Sequence, residues 1–430
     1  MQRGPEAMNP VAIANRFYPS RRAECAAGQP ISALMSQALT NPDLISLAAG
    51  FVDQPSLPVE ETAQAFSELF ADPTLARASL QYGTTPGHED LRGRILDRCR
   101  AADELHAISI DQLLVTAGSN QLLHLVAESL LDPGDIVLCA APTYLVFLGT
   151  VANLGARSFG VATDEQGLVP EALEETLEQL ERRGELHRVK AIYLVPYFDN
   201  PSGVNMPLER VARIVELARR WSTSGKIHVI ADEAYRELRY SGTDVPSART
   251  VDENGDTVVV AGTFSKSFSP GIRVGWGLLP PHLVEPVCNQ KGNIDFGSPN
   301  LSQCLMAKVL EMGLFEQHVA RIRANYQRKL ASMLAAADEY FGPLDGVRWT
   351  RPTGGLYIWA TLPEQIDTGP RGALFEAAID QGVLYVPGQY AYSNEGQPVQ
   401  SNTMRLSFGV QSCQQIRTGM QSLARAIGEV

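Results

Sequence analysis

Lys266 stands in the run Gly262-Thr263-Phe264-Ser265-Lys266-Ser267, among small hydroxyl residues and shortly ahead of Arg273. The apolar residues Val258, Val259, Val260 and Ala261 before it read as a buried strand that ends at a turn. That places the lysine at the carboxyl end of a strand, where open α/β sheets hold ligands. A free lysine amine, with a pKa of about 10.4, is almost wholly protonated at neutral pH. Burial or a nearby cation lowers that value until the amine can attack a carbonyl and form a Schiff base. Thr263, Ser265 and Arg273 then look like a cradle for an anion. Taken alone, the lysine reads better as a solvated loop residue and the arginine as half of an ion pair. The combination in one order is what argues for chemistry.

Other candidates sit at comparable places. Asp232 closes the apolar run that begins at Ile227, and an aspartate at the mouth of such a strand is costly unless a cation or good hydrogen bonds accompany it. Tyr235 follows three residues later, near enough in a helical turn to approach the same ligand. Ser119 and Asn120 come after the short strand Leu113 to Val115 and open a helix, whose first amide groups and dipole favour a phosphate. Ser119 is also readable as an ordinary N-cap, and the two roles are compatible. Tyr144 lies just past the strand Ile136 to Leu138, placed to lay its ring on a flat ligand or to pack in the core. Arg405 alternates with Met404 and Leu406 in a strand pattern, and a guanidinium there suits bidentate capture of a carboxylate or an interdomain ion pair. Gly50 is either a plain turn or a close approach of backbone to ligand.

Strands predicted at 113, 136, 191, 227 and 258, mostly separated by helices, imply an α/β fold whose large domain has a mostly parallel sheet flanked by helices. The helical pattern from Gly313 to Tyr340 carries the chain into a smaller α+β domain, with strands at Leu356 to Ala360, Val383 to Val386 and the TMRLSFG segment. The expected division is an extended N-terminal arm at 1–28, a small domain from 29–60 and 311–430, and a large cofactor-binding domain at 61–310. A short helix is expected from Pro30 to about Asn41.

With 430 residues, 44% hydrophobic and 20% charged, the chain has ample material for two cores. A net charge of −12 and the lack of any basic block argue against nucleic acid as a partner. Six scattered cysteines without a CxxC pair disfavour a metal site and a disulfide framework. No signal peptide or apolar span stands out, so the expected compartment is the cytoplasm, with Met1 or Met8 as the start. Neither GxGxxG nor GxxxxGK[ST] occurs at a strand-to-helix turn, so nucleotide-binding readings lose their support.

From about Ile45 to Gly409 the chain resembles the class I/II aminotransferases, fold type I enzymes that use pyridoxal 5'-phosphate. The segments LISLAAGF, QYG and TFSKSFSPGIRVGW look most like the aminoadipate and kynurenine type transaminases. The resemblance implies that Lys266 carries the cofactor and acts as general base and acid. It pairs Asp232 with the pyridine nitrogen, stacks Tyr144 on the ring, sets Asn200 at the 3'-oxygen, and has Asp232, Asn200 and Tyr235 tune the ring. Phosphate contacts fall to Ser119, Asn120, Thr263, Ser265 and Arg273, and Tyr82 reaches the cofactor of a neighbouring subunit, implying a homodimer. Arg405 holds the substrate carboxylate, with Asn200 and Gly50 beside it. Asp199 departs from the residues that family members often carry before this Asn. Where relatives often have an arginine to meet a distal carboxylate, Ser32 stands here, leaving Arg21 or Arg22 as substitutes. The implied activity moves an amino group from an aromatic, aliphatic or aminoadipate-like L-amino acid to a 2-oxo acid, with 2-oxoglutarate foremost. A lyase or decarboxylase of the same fold shares the cofactor set. A ligand-sensing domain of the type found in transcription regulators needs a DNA-binding segment, for which the short arm leaves no room.

Overall fold

The structure, a computed structural model, describes residues 18–26, 34, 37, 40, 41, 43–105 and 107–430. The start of the arm, most of the helix expected from Pro30, Ser32 and both candidate start residues lie outside the described residues.

The strands in chain order are β1 (Ile45–Ser46), β2 (Leu113–Thr116), β3 (Ile136–Ala141), β4 (Arg157–Asp164), β5 (Gly167–Leu168), β6 (Val189–Leu194), β7 (His228–Asp232) and β8 (Val258–Thr263). They continue as β9 (Gly275–Leu278), β10 (Arg348–Trp349), β11 (Tyr357–Thr361), β12 (Val383–Leu384), β13 (Val386–Pro387), β14 (Glu395–Gly396) and β15 (Thr403–Ser407). The large sheet runs β14-β4-β3-β6-β7-β8-β9-β2, with β5 hairpinned onto β4. Along that path β9 alone is antiparallel to its neighbours.

Its strands are apolar runs because helices cover both faces. Successive residues of β8 alternate between two cores: Val258 and Val260 enter one, Val259 and Ala261 the other. The helix Pro170–Arg182 buries the stripe Leu173, Leu177 and Leu180, and the helix Leu208–Arg220 buries Val211, Ile214, Val215 and Ala218. Both stripes belong to the core of Val258 and Val260, whereas the helix Ser119–Leu130 covers the opposite face.

A second, antiparallel sheet, β10-β11-β15-β13, is built from residues 348–407. β1 pairs with β12, so an N-terminal strand joins the C-terminal segment. Met404, Leu406 and Phe408 enter the core, matching the expected alternation around Arg405.

Three readings need correction. Part of the arm is not extended: Arg21–Cys25 is a short helix, with the Ser20 hydroxyl accepting from the Ala23 amide at 3.2 Å. The strands β4 and β9 were not anticipated, because the glycines in RSFGVATD and VGWG interrupt the apolar pattern. The segment assigned wholly to the small domain also sends β14 back to pair with Phe159 and Gly160 at the edge of the large sheet.

Candidate active site

One cavity of about 440 Å³ lies beyond the carboxyl ends of β6, β7 and β8, walled on its far side by β11 and β15. Twelve of the thirteen residues singled out from the sequence line it: Gly50, Ser119, Asn120, Tyr144, Asn200, Asp232, Tyr235, Thr263, Ser265, Lys266, Arg273 and Arg405. Tyr82 does not. It is 81% exposed, with its ring edge-on to Phe296 at 5.8 Å.

Lys266 follows β8 directly, and its Nζ donates to the carbonyl of Gly50 at 2.8 Å. Gly262 lets this strand lie against β9, since any Cβ there would meet the Trp276 ring at 2.2 Å. Thr263 Oγ1 accepts from the Ser265 amide at 3.1 Å and lies 3.0 Å from Ser265 Oγ. Arg273, itself in the left-handed region at φ 51, donates from Nη2 to the carbonyl of Ala117 at 3.0 Å. Its guanidinium rests on Gly118, where φ is +88 and a Cβ would come within 2.6 Å of Nη2. Gly118, and not Ser119, is therefore the N-cap of the helix Ser119–Leu130. Ser119 is the first helical residue, which leaves its amide among the unpaired donors of the first turn. Hydroxyls, guanidinium and helix terminus converge on one corner whose chemistry suits an anion.

Asp232 ends β7 fully inside. Its Oδ2 accepts from the Tyr193 hydroxyl at 3.0 Å and its Oδ1 from the Ala234 amide at 3.2 Å. Burial pushes its carboxyl up to about 6, against the pull of those two bonds and of Lys266. Among the described residues it forms no salt bridge. Asp199 is likewise pushed up to about 7, by burial first and by Asp232 in addition; Ser202, donating from Oγ at 2.6 Å, opposes the shift.

Arg405 sits on β15 opposite Trp359 and Val386. Nη1 donates to Asn200 Oδ1 at 2.9 Å and Nη2 to the Ala48 carbonyl at 2.8 Å, while Nε is buried without a partner. Asn200 Nδ2 in turn donates to the Tyr235 hydroxyl at 3.4 Å. Tyr144 lies across the cavity with its hydroxyl 3.4 Å from Asn120 Oδ1.

Sequence reasoning missed Tyr193 and Tyr357. The first looked like one more apolar strand residue, and the second followed a Gly-Gly pair at the start of β11 without any polar neighbour to flag it. Neither Arg21 nor Arg22 lines the cavity, and Arg22 pairs with Glu128 at 3.1 Å on the surface. Neither is therefore placed to meet a distal carboxylate in this chain's own cavity.

A parallel sheet holding a lysine, a buried aspartate and an anion corner at its carboxyl edge defines an α/β enzyme of fold type I. The chain matches the family described as aminotransferase class I and II over residues 42–423. It is 36% identical over 387 residues to aromatic-amino-acid aminotransferase 1 of Thermococcus litoralis, covering 90% of this chain and 88% of that protein. It is 32% identical to 2-aminoadipate transaminase of Thermus thermophilus, covering 90% of each. Among solved structures, kynurenine aminotransferase of Pyrococcus horikoshii, in complex with PMP, superposes with a TM-score of 0.88 at 34% identity, covering 97% of this chain and 98% of that one. The chain belongs to the class I and II aminotransferases. It is a pyridoxal-phosphate-dependent transaminase of the aromatic, aminoadipate and kynurenine type.

The residues present fit that cofactor. Asp232 is a buried carboxylate that forms no salt bridge among the described residues, and a protonated pyridine nitrogen would supply a partner. The corner at Ser119, Ser265 and Arg273 suits a phosphate dianion.

Proposed function

We propose that the protein moves the amino group of an L-amino acid with an aromatic or aliphatic side chain to a 2-oxo acid, with 2-oxoglutarate as acceptor. The observation that carries the donor class is the apolar share of the cavity lining, which includes Leu34, Phe51, Leu145, Val146 and Val410. Among the described residues lining the cavity, the cations are Lys266, Arg273 and Arg405. With Arg273 at the phosphate and Arg405 at the α-carboxylate, none of these is left for a distal carboxylate on the donor. The acceptor rests on the family resemblance.

Bound pyridoxal phosphate supplies an electron sink for the bond cleaved at the α-carbon. Arg405 holds the carboxylate in its planar fork, with Asn200 fixing the guanidinium from one side. Lys266 Nζ, freed from the Gly50 carbonyl, takes the α-proton and carries it as general base and then acid. Asp232 would pair with the cation of the ring, Tyr235 and Asn200 would meet its oxygen, and Tyr144 would cover its face. Thr263, Ser265, Ser119, Asn120 and Arg273 would hold the phosphate.

We further propose a homodimer. Tyr82 and Phe296 form an exposed aromatic pair outside this chain's cavity, which supports the reading that Tyr82 serves a partner's site. The division at 60/61 and 310/311 is proposed as the domain boundary, supported by the separate sheet of residues 348–407. All six cysteines are free, which supports a reducing, cytoplasmic compartment. No described helix is long and apolar enough to cross a membrane.

The test is a panel of amino donors followed by absorption spectra and product analysis. Phenylalanine or leucine should convert the cofactor to its amine form and yield the matching 2-oxo acid, with 2-aminoadipate slower. Carbon dioxide or an elimination product in place of a 2-oxo acid would favour the lyase reading.

A further inference from the structure

Among the described residues that line the cavity, Tyr357 is the phenol that the roles above leave unused. It opens β11 and is fully buried. Its hydroxyl lies 3.2 Å from that of Tyr235, and the Arg405 guanidinium lies over its ring at 4.4 Å from the centroid. Four side chains thus close a circuit, from Arg405 to Asn200 to Tyr235 to Tyr357 and back.

Proton directions around this circuit follow from its fixed donors. Arg405 has no acceptor, so Asn200 must present Oδ1 to it and its amide N–H to Tyr235. The Tyr235 oxygen therefore accepts from Asn200. The remaining bond, between the two phenols, has one proton, and charge decides whose it is. The titratable groups facing Tyr357 are Tyr144, Tyr235, Tyr326, Lys266 and Arg405. Burial pushes the Tyr357 phenol up, but the cations Arg405 and Lys266 and the bond to Tyr235 outweigh it and hold the phenol below its usual value. Tyr235 is pushed well above, by burial first and then by Tyr357. Either oxygen can donate at this distance, and the Arg405 guanidinium stacked on the Tyr357 ring favours Tyr357 as the donor.

We propose that Tyr357 is a positioning residue: by donating to the Tyr235 oxygen it leaves the Tyr235 proton no partner but one inside the cavity. An oxygen that accepts two hydrogen bonds is also a stronger donor. The inference rests on the proposed place of Tyr235 at the cofactor oxygen. A proton donated there favours the less protonated cofactor and lowers the pH at which its visible band changes.

The experiment is a pH titration of that band in the loaded wild type, Tyr357→Phe, Tyr235→Phe and the double variant. Tyr357→Phe keeps the ring under Arg405 and removes only the hydroxyl. Its midpoint should rise by about half a pH unit, the size of one hydrogen bond. Tyr235→Phe should raise it further, and the double variant should match Tyr235→Phe. Binding of 3-phenylpropionate, a carboxylate without an amine, should change less than about twofold in Tyr357→Phe. A midpoint unmoved in Tyr357→Phe while Tyr235→Phe shifts overturns this inference and leaves the role of Tyr235 standing. A midpoint unmoved in Tyr235→Phe overturns both. A further rise in the double variant, or a tenfold loss of 3-phenylpropionate binding in Tyr357→Phe, shows that Tyr357 acts by another route and overturns the inference.

Discussion

Lys329 and Asp53 form an ion pair at 2.6 Å in which both side chains are buried, at 5% and 7% exposure. The same Lys329 Nζ donates to the carbonyl of Gly409 at 3.1 Å, and the Asp53 amide donates to Tyr326 at 2.9 Å. The pair therefore ties the helix Leu314–Tyr340 to the chain just past Gly50 and Phe51 and to the turn before Val410, all three of which line the cavity. Removing one partner leaves a buried charge uncompensated. Lys329→Met should lower unfolding free energy by roughly 3 to 5 kcal/mol, and Asp53→Asn in the same chain should restore part of it. Denaturant titrations of the single and double variants measure this.

Lys266→Ala should cut transamination by at least about 10³-fold, because the proposed mechanism makes one residue cofactor anchor and proton carrier together. Far-UV circular dichroism should be unchanged, since the side chain makes one hydrogen bond, to Gly50. Retention of more than a few per cent of the activity would show that another group moves the proton.

Arg405→Lys keeps the charge and loses the planar fork. With Asn200 and Ala48 each bound to a different terminal nitrogen, an ammonium cannot replace both bonds and still meet a carboxylate. The expected result is a roughly 10- to 100-fold fall in kcat/KM, carried mainly by KM. Steady-state kinetics with phenylalanine decide it.

Asp232 predicts a pH dependence of the cofactor-free protein. Its carboxyl is pushed up to about 6 when folded, above the value of about 3.9 for an unfolded chain. The folded state then holds the proton more tightly, so this group's cost is absent below pH 4, grows through pH 4 to 6 and is complete above 6. Asp232→Asn should therefore stabilise the cofactor-free protein at pH 8 relative to pH 5, by about 1 to 3 kcal/mol. Glu233, pushed up to about 7 by burial first, tilts the profile the same way in both proteins, whereas Asp199, pushed up to about 7 by burial and in addition by Asp232, loses part of its shift in Asp232→Asn and adds to the difference in the same direction. In the loaded protein the advantage should reverse. Thermal unfolding of both forms at pH 5 and pH 8 provides the comparison.

Much of the site was readable because its chemistry sits at strand ends. Asp232 closes an apolar run and Lys266 follows another, so each betrays its place locally. Arg405 was readable for the same reason, as a charge inside an alternating strand. Tyr357 was not, because its meaning lies in two partners distant in sequence, Tyr235 and Arg405, that only the meeting of two sheets brings near. Strand β9 was hidden by the glycines that let it pack beside the helix Ser119–Leu130 and against Gly262. Gly118 took the cap expected of Ser119 because Arg273 occupies the space a side chain would need.

The place of β14 bears on synthesis. Glu395 and Gly396 pair with Phe159 and Gly160 at the margin of the large sheet, so the outermost parallel strand waits for residues made more than two hundred positions later. A ribosome that has exposed the chain only as far as Lys266 carries the reactive amine with β4 still an open edge and with no Arg405. Until residues 395–405 have emerged, such a nascent chain lacks both the strand that covers β4 and Arg405, and its bare edge is where a chaperone would be needed most.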